Sequence, residues 1–331
     1  MKPFRVSAFI SIALGLLCVH AQASGKFITF QVAGATQTDP RTITNTGEVV
    51  GYFGGPANWH GFVRATDGTI TIVDVPGAAD SFAVAMGSDG TIVGNYINET
   101  GKGYFRGFVR SPDGQYADLI APHGARDTGL SSLSKAGWIA GTGQGHVGFF
   151  GFLRDPKGHY TEFGYQLQVL QVQCANAGNT TAGAIYDQTG HGFVRTPDGT
   201  LTQFDPSGGW DTNVSAINDA GTAVGSSFFS SGNGGFGFTR ASDGTISKFV
   251  VPGGAVQYTV PMSINKSGVI AGESQNKNGG QDGFIRAPDG KITRIDVPGG
   301  THTRIVSIND KGQVAGSFTA NGIVMGFIWK P

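Results

Sequence analysis

The sequence predicts an all-β fold, a seven-bladed β-propeller of four-stranded antiparallel blades, with the ring closed by the N-terminal strand. Three observations carry this. A tetrad of Gly-Phe-Xaa-Arg type begins at Gly61, Gly107, Gly151, Gly192, Gly237, Gly283 and Gly326, at spacings of 46, 44, 41, 45, 46 and 43 residues. Each period holds four short apolar segments parted by turn residues, and four strands per roughly 40–50 residues is the signature of a propeller blade. Composition agrees: 55 glycines, with 14% charged residues against about 25% in ordinary globular proteins, suit short strands and dense turns.

Residues 1–23 form a separate element. Lys2 and Arg5 precede the apolar run FISIALGLLCV (9–19), and Ala21-Gln22-Ala23 follows. A basic start, a short apolar run and an A-x-A site make a secretory signal peptide, with cleavage expected after Ala23. A lipoprotein anchor through Cys18 is disfavoured, because Leu17 stands where such sites carry a small residue. The run is shorter than the roughly 20 residues of a spanning helix. No membrane span is expected, and residues 24–331 are read as one propeller domain, secreted or periplasmic. Cys174 then has no partner for an intramolecular disulfide, and a buried, inert thiol is the simplest reading.

The strands follow in order. Residues 211–250 illustrate one unit: DTNVSAIN, GTAVGSS, FGFTR and GTISKFV. The first two are joined by Asn218-Asp219-Ala220-Gly221, a tight hairpin closed by a left-handed glycine. The last two are joined by a turn ending in Asp-Gly, seen with proline in TPDG (196–199) and APDG (287–290). The mature chain opens with GKFITFQVAG (25–34), which matches the fourth segment GTITIVDVPG (68–77), and it ends with a third segment, GFIWKP. A chain that begins with a fourth strand and ends with a third closes its ring by pairing the two, which leaves no open sheet edge. Eight blades or an open solenoid are the alternatives.

These units resemble the bacterial extracellular repeat family named for its HAF tripeptide. Ile217-Asn218-Asp219-Ala220-Gly221 and Ile308-Asn309-Asp310-Lys311-Gly312 match its INDxG segment, and His60-Gly61-Phe62 and His191-Gly192-Phe193 match the tripeptide with glycine in place of alanine. The resemblance covers essentially the whole mature chain. It implies propeller-like repeats and an extracellular location, and it carries no catalytic residues to transfer.

The repeated residues read as scaffold. The seven phenylalanines of the tetrads, Phe62 to Phe327, are placed between neighbouring sheets, and the preceding glycines allow close strand approach. Arg64, Arg110, Arg154, Arg195, Arg240 and Arg286 are expected to pair with the turn acids Asp67, Asp113, Asp198, Asp243 and Asp289. A single Asn-Asp turn lacks the dense oxygen set of a calcium loop, so no metal is assigned, and no cofactor is expected.

Function is expected where the units differ, in the connections between second and third strands and between units. Ten residues before each turn glycine stand Gln37, Asp80, Asp127, Gln168, Asp211, Tyr258 and His302. Together with Trp59 and Trp210, and with His123 and Arg126 nearby, they form a candidate channel rim. Aromatic faces beside carboxylates and amides suit sugar recognition, and the ligand-binding candidates are Asp80, Asp127, Asp211, His302, Tyr258, Trp59 and Trp210. The chain has 23 basic and 23 acidic residues, which disfavours nucleic acid. There is no G-x-S-x-G elbow, no H-E-x-x-H and no Cys/His metal spacing. The reading is a monomeric, non-enzymatic binding scaffold for a glycan or cell-surface protein, with no catalytic residues assigned. The alternative is a glycoside hydrolase or polysaccharide lyase at the channel mouth, and a purely structural envelope protein is a third reading.

Overall fold

A computed structural model describes residues 25–331 apart from 56–57, 99–102, 123, 147, 165–168 and 255. The leader assigned to residues 1–23, His123 and Gln168 lie outside the described residues.

Twenty-eight strands and no helix occur among the described residues. β1 (Lys26–Phe30) stands alone at the start of the chain. The first set of four is β2 (Gln37–Ile43), β3 (Val49–Gly54), β4 (Trp59–Arg64) and β5 (Ile70–Val73). The second is β6 (Ala78–Met86), β7 (Ile92–Asn98), β8 (Phe105–Arg110) and β9 (Tyr116–Leu119). The third is β10 (Asp127–Leu133), β11 (Ile139–Gly145), β12 (Gly148–Arg154) and β13 (Tyr160–Phe163). The fourth is β14 (Val169–Ala175), β15 (Thr181–Tyr186), β16 (Gly190–Arg195) and β17 (Leu201–Phe204). The fifth is β18 (Asp211–Ile217), β19 (Ala223–Phe228), β20 (Gly235–Arg240) and β21 (Ile246–Phe249). The sixth is β22 (Thr259–Ile264), β23 (Ile270–Gln275), β24 (Gln281–Arg286) and β25 (Ile292–Ile295). β26 (Thr301–Ile308), β27 (Val314–Ala320) and β28 (Ile323–Lys330) end the chain.

Sets two to six are separate four-stranded antiparallel sheets, and the first set joins β26–β28 in an eight-stranded sheet. That junction is a single parallel pair, Gln37 with Val324. β1 pairs antiparallel with β28, from Lys26–Lys330 to Phe30–Gly326. The leading strands touch in sequence, β2 to β6, β10, β14, β18, β22 and β26, and β26 returns to β2.

Every leading strand carries a bulge at the same step, at Arg41, Val84, Ser131, Gln173, Ser215, Met262 and Val306. An extra residue bends a strand and sharpens its twist, so the same kink recurs wherever the chain enters a set. Connections between sets share a second device. In Val75-Pro76-Gly77-Ala78 the Ala78 amide donates to the Val75 carbonyl at 3.0 Å, with Gly77 at φ 75°, as a type II turn requires. The Val75 amide in turn donates to Ser81 Oγ at 3.1 Å, and Val297 and Thr303 repeat the bond at 3.2 Å.

The core lies between sheets. Phe62, Phe108, Phe152, Phe193, Phe238, Phe284 and Phe327 have no solvent exposure. Six of the seven tetrad glycines face the next sheet: a Cβ on Gly107 would fall 2.9 Å from Leu130, and one on Gly283 would fall 2.8 Å from Ile305. Cys174 is buried, its Sγ 3.8 Å from the Ala182 carbonyl, and burial pushes its thiol up to about 12.

The arginines depart from expectation. Four guanidinium groups stack on an aromatic ring of the preceding fourth strand: Arg64 on Phe30 at 5.0 Å, Arg195 on Phe163 at 4.9 Å, Arg240 on Phe204 at 5.0 Å and Arg286 on Phe249 at 4.8 Å, while Arg110 lies over Tyr116 of its own fourth strand at 5.8 Å. The turn acids bond their own hairpins instead, as Asp67 Oδ1 accepts the Thr69 amide at 2.8 Å and Asp289 Oδ1 the Lys291 amide at 2.9 Å. A ring face offers an attraction that survives partial burial, whereas an exposed ion pair gains little.

Candidate functional site: two faces of the ring

Antiparallel connectivity puts the NDxG and PDG hairpins on one face. The second-to-third-strand loops and the connections between sets lie on the other, the loop face. Among the described residues six large apolar side chains are more than a third exposed. Five of them, Tyr104, Phe105, Ile120, Trp210 and Val256, belong to loop-face segments, and only Ile72 sits on an outer strand.

The rim candidates sit on this face in separate groups. Asp80 Oδ1 accepts the Trp59 amide at 2.9 Å, and Asp127 Oδ1 accepts the Phe105 amide at 3.1 Å. Asp211 stands so close over Gly190 that a Cβ there would lie 2.1 Å from Oδ1. All three carboxylates therefore engage the start of the third strand in the preceding set. Asp127 is held above the ordinary carboxylate range by burial, against the bonds it accepts. The fourth set places Val169 in this register, opposite Tyr186, so the candidate series slips by one residue at Gln168.

The latches hold aromatic rings in place. Tyr52 meets Trp59 at 5.5 Å and Phe82 at 5.2 Å, and Phe82 meets Phe105 at 5.9 Å. Phe105 and Tyr104 are 38% and 41% exposed, which ends this run of rings at the surface. Trp210 is 58% exposed, and its amide donates to the Phe228 carbonyl at 2.8 Å. Tyr258 stacks on Phe228 at 5.9 Å; burial first, and then the Glu273 charge, raise its phenol.

His302 lies elsewhere, in the left-handed region at φ 54°. It lines a cavity of about 510 Å³ with Asn276, Asp282, Asp296 and Thr301. Residue comparison explains the chemistry of this cavity. His60 bonds Asp74 at 2.7 Å in the first set, and His191 bonds Asp205 at 2.7 Å in the fourth. The sixth set has Asp282 and Asp296 in those two positions. Asp282 is compensated by Arg294 at 2.7 Å and accepts from Asn276 at 2.7 Å. Burial, then the neighbouring Asp282 charge, push Asp296 up to about 6. A carboxyl with raised proton affinity beside a second carboxylate is the arrangement used for general acid work. Sequence reasoning named His302 but missed both carboxylates; aligning the residue before each tetrad glycine would have found them.

The hairpin face holds a second cavity, of about 300 Å³, at the mouth of the ring. The asparagines of the repeated turns clasp it circumferentially. Asn176, Asn218 and Asn265 donate through Nδ2 to the carbonyls of Asn218, Asn265 and Asn309 at 3.1, 3.2 and 3.2 Å, and Asn309 donates to Thr44 at 2.8 Å. Lys135 reaches across this mouth from the third set to Asp310 at 2.7 Å, with Asp219 of the fifth set at 3.6 Å. No group of three or more His, Cys, Asp or Glu side chains able to hold a metal occurs among the described residues. The described residues contain no helix long and apolar enough to cross a membrane.

No protein-family model and no curated protein matches the chain. Solved structures do. It is similar to a streptogramin B lyase (TM-score 0.61, 16% identity, covering 92% of this chain and 98% of that one). It is also similar to virginiamycin B lyase from Staphylococcus aureus (0.58, 13%, 92% and 99%). A third is the β-propeller domain of the Trilobed protease from Pyrococcus furiosus (0.61, 11%, 89% and 95%), described as having an open velcro topology. Identities this low speak to architecture alone. With its helix-free array of four-stranded antiparallel sheets, the chain has the β-propeller fold.

Proposed function

We propose that this chain is an exported seven-bladed propeller, closed by β1, that serves as a binding scaffold for a glycan or cell-surface polymer through its loop face. The concentration of exposed apolar side chains on that face carries the reading, since exposed aromatic rings beside polar groups mark recognition surfaces. Tyr104, Phe105 and Trp210 supply stacking faces, while Asp80 and Asp127 hold the Trp59 and Phe105 backbones in register rather than reaching for the ligand. Seven blades follow from counting β26–β28 plus β1 as one set, which the β1–β28 pairing and the closed series of leading-strand contacts support. Export rests on the leader at residues 1–23, and kinship with the HAF-type repeats rests on the INDxG and HGF segments.

The test is a glycan array probed with the mature protein and with a Phe105→Ala/Trp210→Ala double variant. Binding by the native chain that the variant loses, with the unfolding midpoint unchanged, is the expected result. An array with no binder counts against the glycan version.

The cavity at Asp282 and Asp296 favours a second reading, an enzyme acting on a polysaccharide with Asp296 as acid. Activity on a polysaccharide panel that falls at least a hundredfold in Asp296→Asn, with loss of the limb near pH 6, is its required signature.

A further inference from the structure

The mouth on the hairpin face is built like a receptor for an organic cation. In the second position of the seven repeated turns stand Asn45, Ser88, Lys135, Ala177, Asp219, Lys266 and Asp310, all lining the cavity. Backbone contacts orient the two carboxylates before any cation arrives. Asp219 Oδ1 accepts the Ala177 amide at 3.0 Å, and Asp310 Oδ1 accepts the Lys266 amide at 3.0 Å. The second oxygen of each acid is left for the mouth, where Asp310 Oδ2 also accepts Asn45 Nδ2 at 2.9 Å. Lys135 Nζ meets both second oxygens, at 2.7 and 3.6 Å.

Beneath this polar rim, two residues deeper along each leading strand, the wall turns apolar. Ile43, Met86, Leu133, Ile217, Ile264 and Ile308 form a collar around the cavity. Small Ser88 and Ala177 at the rim keep the entrance open. A carboxylate pair above an apolar collar matches a guest with a cationic head and an apolar body.

Lys135 supplies the head without the body. Its side chain is 53% exposed; Asp219, at 3.6 Å, is 43% exposed, and Asp310, the nearer partner at 2.7 Å, is 13% exposed. With the ammonium end in solvent the pairing gains little, and holding the long lysine side chain still opposes it. Burial opposes its charge, yet the two acids outweigh that and raise its pKa, the behaviour of a site made for a cation. The tie is weak enough to be exchanged.

We infer that this mouth binds a primary ammonium carried on an apolar body, such as a hydrophobic amine or a free chain N-terminus with a large apolar first residue, and that Lys135 is the internal occupant the ligand displaces. The site lies on the face opposite the proposed glycan surface and does not depend on that reading.

Calorimetric titration with 2-phenylethylamine tests it. Lys135→Met removes the competitor while retaining an apolar stem, and is expected to bind the amine at least fivefold more tightly than the native protein. The neutral 2-phenylethanol should bind neither. Adding Asp219→Asn to Lys135→Met, which keeps an acceptor for the Ala177 amide, should weaken amine binding at least fivefold; Asp310→Asn should do the same, with circular dichroism confirming the fold of each. The inference is overturned if Lys135→Met binds the amine no better than the native chain, binds the alcohol equally well, or takes calcium ion in place of the amine.

Discussion

Phe193 shows what a single residue does in this ring. It has no solvent exposure, and its ring edge leaves only 3.0 Å for a Cβ at Gly183 on the adjacent strand. Truncating such a ring opens a cavity that neighbouring sheets cannot fill, so Phe193→Ala is expected to lower stability by about 3–5 kcal/mol in urea unfolding. His191, two residues earlier, adds a pH term. Its hydrogen bond to Asp205, with a contribution from Asp187, raises its imidazole pKa above the ordinary value. The protonated form is favoured by folding, so this contribution is fully present below about pH 6.5 and fades as pH climbs through the raised value. Unfolding midpoints measured from pH 5 to 9 should show that fall, and His191→Gln should flatten it. Arg64, Arg195, Arg240 and Arg286, each two residues after a tetrad phenylalanine, are the case where sequence alone misled. The nearby turn acid is visible in the one-dimensional pattern, whereas the aromatic partner lies about 34 residues back, Arg64 on Phe30 for example, and becomes a neighbour only when sheets stack.

At the scale of elements, the repeated hairpin is both turn and clasp. Asn218 Oδ1 accepts the amides of Ala220 and Thr222 at 3.1 and 3.0 Å, while Nδ2 spans to the Asn265 carbonyl of the next set. Asn218→Ala therefore removes three bonds and leaves buried backbone groups unmet, at a cost of about 1–3 kcal/mol. Asn218→Asp keeps the turn acceptor and loses the clasp, so its unfolding midpoint should fall between the two. Period, strand length and turn type were all legible because each is set by local chemistry. The register of β14 was not: the residue opposite Tyr186 is Val169, and counting back from a turn glycine cannot see how strands align. The cluster at the hairpin mouth was equally hidden, since Lys135 and Asp310 stand 175 residues apart and meet only across the ring.

For the whole molecule, the sheet that holds β28 depends on both ends of the chain. β1 covers β28 through five residue pairs, and Phe30 lies under Gly326, where a Cβ would fall 2.5 Å from the ring. A chain trimmed to start at Gln31 leaves β28 with an unpaired outer edge and strips Arg64 of its stacking partner. It is expected to melt earlier and to self-associate, as measured by scanning calorimetry and light scattering. A trimmed protein that stays monomeric with an unchanged melting point would count against ring closure by β1.

The same pairing sets a constraint in time. Lys-Phe-Ile-Thr-Phe at residues 26–30 is synthesised before the other strands of the fold, and its partner after them. During synthesis this apolar stretch has no native strand to join, and loop closure over the whole series of strands is a slow event. The newborn chain thus passes through a stage in which this ribbon waits unpaired until the final tetrad emerges.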